Sequence, residues 1–200
     1  MSDLVPVSSQ RLCSAAAGRK REDHVPAACG NAASVHQNEV MTSAQAVARF
    51  SSLMLSALST GVFFGTRASL GPSTKDFTPS TYVEVQQATI RNLRPVMGAL
   101  LPAAVVANAA VVILSLRDAR STAFRLASGG LAAQLAALTL TAAIELPINA
   151  QVLTWAPDEP PHGWEATRDR WAWVHTARTT SSLLGLTCLA GAALSDHSSQ

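Results

Sequence analysis

The chain has 200 residues, 48% of them hydrophobic and only 14% charged, with a formal net charge of +2. So few charged side chains cannot comfortably cover a water-soluble globule, which points to a membrane protein. The basic residues are scattered and form no continuous patch for a phosphate backbone, which argues against a nucleic-acid partner.

Residues 1–44 mix Ser, Ala, Gln, Asn and charge, with a basic knot at Arg19, Lys20 and Arg21 and no sustained apolar period. They read as a disordered polar tail. An organelle-targeting peptide is the alternative, and the acidic Glu22, Asp23 and Glu39 stand against it. The first apolar run begins only near Phe50, so no cleavable secretory signal is expected.

Residues 45–200 read as one domain. Uncharged apolar runs at about 50–66, 96–116, 126–144 and 179–194 predict four transmembrane helices. The first is at the short end for a hydrocarbon core about 30 Å thick, and its Ser56, Gly61 and Gly65 offer small surfaces for a close neighbour. Between 67 and 94 lies a polar connection containing GPSTKDFTPSTY, where Pro and Gly mark a loop before a short helix over 83–93. Pro102 is expected to kink the second span slightly. Arg117, Arg120 and Arg125 form the densest basic cluster beside the membrane segments, which places that loop and both termini in the cytoplasm and the 145–178 connection opposite. The predicted class is an all-α, multi-pass integral membrane four-helix bundle; a soluble all-α bundle is the competing class. The cysteines Cys13, Cys29 and Cys188 lack metal-ligand spacing and suggest no disulfide framework.

The polar exceptions concentrate between Glu145 and Ser182. Pro147 can end or kink the third span and free backbone carbonyls, and Asn149 follows with both donor and acceptor groups. Further on, Trp164, Arg168, Trp171, His175, Arg178 and Ser182 recur at alternating spacings of four and three, so they share one helical face. A stripe this polar cannot face lipid and must face the bundle interior or a water-filled cavity. Trp155, Trp164 and Trp173 read as interfacial anchors. Arg178 reads either as a cavity group or as a structural partner of Glu145. No transmembrane segment supplies a second imidazole to His175, so neither a metal site nor a two-histidine haem site is expected. Nucleotide-binding loops and nucleophile elbows are absent too.

These residues resemble the anthrone oxygenase family of small four-helix membrane proteins. The resemblance rests on GVFFGT closing the first helix, PIN at 147–149, the following Trp155, and RDRWAWVHTART at 168–179 feeding the last helix. It covers roughly 45–195, and its most specific part is PIN followed by RWxxxHxxR; the long tail and Glu145 depart from the pattern. The resemblance implies oxidation of an anthrone to an anthraquinone with molecular oxygen as co-substrate and no prosthetic group, in aromatic polyketide metabolism. On that footing His175 is the expected general base, Arg178 and Asn149 hold the developing oxyanion, and Trp171 stacks on the planar substrate. Glu145 is either a partner of Arg178 or a second acid at the substrate. Two other readings remain open. One is a non-catalytic membrane protein that binds a small hydrophobic ligand or a partner helix through the same face, and the other is a haem or quinone redox subunit.

Overall fold

The computed structural model describes the backbone of residues 27–197 and the side chains of residues 43–195. Residues 45–200 cluster as one compact unit. The chain runs through α1 (Ala27–Leu70), α2 (Pro79–Leu114), α3 (Thr122–Leu140), a π-helical turn (Thr141–Glu145), α4 (Leu146–Val152) and α5 (Trp164–His197). Because the π-turn joins α3 to α4 without a break, these elements make four rods, and no strand is formed among the described residues beyond an isolated Ala156–Glu159 bridge. The tail expected over residues 1–44 lies outside the described residues up to residue 26; from Ala27 the backbone is already helical.

Helix is the natural state of such Ala- and Leu-rich runs, since it satisfies every backbone group within the segment where no water is at hand. Hydroxyl side chains on these helices do the same locally: Ser59 donates to the carbonyl of Leu55, Thr66 to Val62 and Thr89 to Val85. The boundaries are set by capping. Thr78 accepts from the Thr81 amide with Pro79 in the first helical position, and Ser121 accepts from the Phe124 amide at 3.1 Å. Gly163, at φ +77°, turns the chain into α5.

Among the described residues, three stretches are long and apolar enough to cross a membrane: Ser43–Leu70, Pro79–Leu114 and Thr122–Val152. Outward-facing side chains such as Val106 and Ile113, 68% and 62% exposed, suit contact with lipid. One expectation changes here. The short helix over 83–93 and the second span are a single helix, continuous through Pro95 and Pro102. The fourth expected span, 179–194, is the second half of α5, which falls outside the three apolar stretches because it follows a charged first half and opens on Thr179, Thr180, Ser181 and Ser182.

Neighbouring rods run antiparallel. Asn108 of α2 bonds Ser52 and Ser56 of α1, the first at 2.5 Å. Thr60 of α1 bonds Ser182 of α5 at 2.7 Å. Gln87 of α2 donates to the carbonyls of Val152 and Trp155 at 3.0 and 2.9 Å. Between α3 and α5 the backbones come close at glycines: a Cβ on Gly130 would lie 3.2 Å from the Gly185 carbonyl oxygen, and one on Gly185 equally near that of Gly130. Small residues at a crossing of this kind are how membrane helices pack where hydrophobicity supplies no drive between them.

Candidate functional site

Pro147 has no amide hydrogen to return to the preceding turn, and the chain accommodates it by widening rather than stopping. Over Thr141–Glu145 the turn is π-helical, with the Leu146 amide reaching back to the Thr141 carbonyl, and the helix then continues to Val152. Pro147 was expected to end or kink this span; its effect is the inserted turn. The extra residue rotates Glu145 inward, where it is 1% exposed.

A carboxylate so deep needs a partner, and α5 provides it. Arg178 forms an ion pair with Glu145 Oε2, donates to Thr141 Oγ1 at 3.2 Å, and lies over the Phe63 ring at 4.2 Å. The same guanidinium approaches Nδ1 of His175 with Nη2 at 2.8 Å and Nε at 3.2 Å. The other imidazole nitrogen, Nε2, lies 3.1 Å from the backbone carbonyl of Phe63, an acceptor only. Phe63 can only accept and Arg178 can only donate, so an imidazole with its proton on Nε2 satisfies both contacts. Glu145 Oε1 lies 3.2 Å from that same Nδ1. One turn earlier, Trp171 stacks on the imidazole with ring centroids 4.7 Å apart and donates its indole N–H to Asn149 Oδ1 at 3.1 Å.

This cluster forms part of the wall of a cavity of about 360 Å³, within the size range of small-molecule sites. Glu145, Arg178, Asn149 and Trp171 border it, together with Phe63 and Thr66 of α1 and a mainly apolar row on α2 from Gln86 through Ile90 and Met97 to Leu101. His175 does not border it: the ring lies behind Trp171, Phe63, Arg178 and Glu145. Of the five residues singled out from sequence, four border the cavity and the fifth lies behind residues that do. Among the described residues, no group of three or more His, Cys, Asp or Glu side chains could hold a metal ion.

The tryptophans divide differently from their expected anchoring role. Trp173 is 68% exposed, as an anchor should be. Trp164 is buried against Tyr82, with ring centroids 5.1 Å apart and Arg168 over its face, because it lies on the inward stripe of α5. Trp155 is half-buried and packs against both Tyr82/Val83 and Val152/Trp171 clusters. Three contributors escaped the sequence reading: the Phe63 carbonyl, Thr141 and Gln86. Thr141 stands one helical turn before Glu145, a spacing that could have marked it; the other two carry no sequence signal of their own.

Fold and site together define a class: a membrane helix bundle with a buried acid–base cluster on the wall of an apolar cavity. Residues 90–188 match the family model described as anthrone oxygenase. The match takes in Glu145, Asn149, Trp171, His175 and Arg178 and begins after Gln86 and all of α1. No curated protein and no solved structure matches the chain.

Proposed function

We propose that the protein is a membrane-bound, cofactor-independent oxygenase that converts an anthrone of the emodin anthrone type to the anthraquinone, using molecular oxygen. The observation that carries this reading is the buried Glu145–Arg178 pair on the wall of a cavity whose lining is otherwise mainly apolar, in a chain that matches the anthrone oxygenase family model over residues 90–188.

An anthrone needs little from its catalyst. Loss of a proton from the methylene between the aryl rings gives an enolate rich enough to pass one electron to oxygen. Recombination of the radical with superoxide forms a peroxide at that carbon. Protonation and loss of water then leave the new carbonyl, so one oxygen atom enters the product and the other leaves as water.

The group at the cavity able to take the first proton is the Glu145 carboxylate, and the direct base role expected for His175 passes to it. His175 Nδ1, 3.2 Å from Glu145 Oε1, lies beside the acid and, by accepting from Arg178, holds the guanidinium against it. Charge stays balanced throughout. As the carboxylate is neutralised, the negative charge facing Arg178 moves onto the substrate oxygen, and no ion is left uncompensated in a medium where that is costly. Asn149 offers its amide to the same oxyanion while Trp171 lies against the ring system. We further propose that α5 is a fourth crossing, given its antiparallel pairing with α3 through Gly130, Gly185 and the Arg178 contacts. Both termini then lie on one side, the cytoplasmic side by the Arg117, Arg120 and Arg125 loop.

Membranes containing the protein, mixed with emodin anthrone under air, should form the quinone faster than empty membranes, with one oxygen molecule consumed per quinone. The purified protein should show no Soret band. Ligand binding without faster turnover would instead make it a non-catalytic carrier of hydrophobic molecules.

A further inference from the structure

Two adjacent glutamines on α2 do different things. Gln87 donates to the Val152 and Trp155 carbonyls and accepts from Arg91 at 3.0 Å, so its amide is used in holding α2 to the end of α4. Gln86 is 2% exposed, borders the cavity, and its Nε2 has no hydrogen-bond partner among the described residues. A buried donor left without an acceptor costs free energy, so a protein that keeps one at a cavity wall has a use for it there.

Its position is fixed by its neighbour. Because Gln87 bonds to Val152 and Trp155, Gln86 lies level with the Leu153 end of the cavity. Glu145 is eight residues back along the rod, which at 1.5 Å per residue puts the two polar groups on the order of 12 Å apart along the helices. The wall between them on α2 carries the apolar Ile90 and Leu93, with Thr89 and Arg94 beside them. Such a slot suits a molecule with one oxygen for the Glu145–Arg178 end, a flat apolar middle and a second acceptor oxygen at its far edge.

We propose that Gln86 is a specificity-determining residue that donates a hydrogen bond to an oxygen on the terminal ring of the ligand, so that the cavity selects fused aromatics oxygenated at the edge remote from the reacting carbon. This rests on the ligand class of the proposed function and extends it to the ring substitution. A site built to bond an oxygen discriminates against the analogue without it, because the donor is then left unpaired.

The test is binding, not turnover, so that it is read separately from the proposed reaction. Purified protein in detergent is titrated with emodin and with unsubstituted anthraquinone, following tryptophan quenching, for the wild type, Gln86→Leu and Gln86→Asn. The wild type should prefer emodin at least about tenfold; Gln86→Leu should lose most of that preference by weakening emodin alone, and Gln86→Asn, one methylene shorter, should fall between. Equal weakening of both quinones by Gln86→Leu, an unchanged preference, or no binding of either quinone by the wild type overturns the proposal. If the preference depends on Gln86 while emodin anthrone is not oxidised, the proposed reaction is wrong and the role of Gln86 stands.

Discussion

Arg178 places its Nη2 2.8 Å from Nδ1 of His175, three residues earlier on the same helix, and so occupies the lone pair through which that histidine would act as a base. The imidazole is held at both nitrogens, with Phe63 accepting from the other. Its work is to fix the guanidinium against Glu145, and the two α5 residues behave as one support for the carboxylate facing the cavity.

His175→Gln should therefore reduce turnover without abolishing it. The variant removes a support, and its effect should resemble the loss of an outer orienting partner, about 10- to 100-fold. Quinone formation per mole of protein in membranes checks this, with quinone binding affected much less.

The buried ion pair should show strong non-additivity. Arg178→Met leaves Glu145 charged and unpaired and should destabilise the bundle by about 3–5 kcal/mol. Adding Glu145→Gln to it should restore most of the stability and none of the activity. Thermal unfolding of the purified single and double variants measures the coupling.

Gly98 borders the cavity, and a Cβ placed there meets nothing within 4 Å. Gly98→Phe should crowd the cavity at little cost to stability, less than about 1 kcal/mol. Emodin affinity should drop at least about tenfold with an unchanged melting temperature, a combination that separates occlusion from misfolding.

At Gly130 the outcome should be reversed. An added Cβ would lie 2.8 and 2.9 Å from Leu189 side-chain atoms and 3.2 Å from the Gly185 carbonyl. The leucine can move, but the backbone of α5 cannot without separating the rods. Gly130→Val should cost about 1–3 kcal/mol, read as a lowered melting temperature.

How much of this was legible in the sequence depends on what set each feature. The stripe from Trp164 to Ser182 was readable because a helical period fixes a face, and burial of Trp171, His175 and Ser182 follows it. Helix continuity through Pro95 was not, since a proline's local bias is overridden when neighbouring rods hold the segment. The inward turn of Glu145 depends on one extra residue in a π-turn, which no periodicity announces. Which of Gln86 and Gln87 faces the cavity is a matter of helix rotation, set by bonds to Val152 and Trp155 that are remote in sequence. The Phe63 carbonyl that orients His175 is a backbone atom, invisible to any reading of side chains.

The most direct test of the account is the rate of quinone formation from emodin anthrone by Glu145→Gln, in membranes matched to wild type and to His175→Gln for protein content. A general base at the cavity supplies about 100- to 10,000-fold, so Glu145→Gln should lose at least that lower factor and more than His175→Gln does. Wild-type turnover in Glu145→Gln, with activity abolished in His175→Gln, would contradict the assignment and return the proton transfer to the histidine.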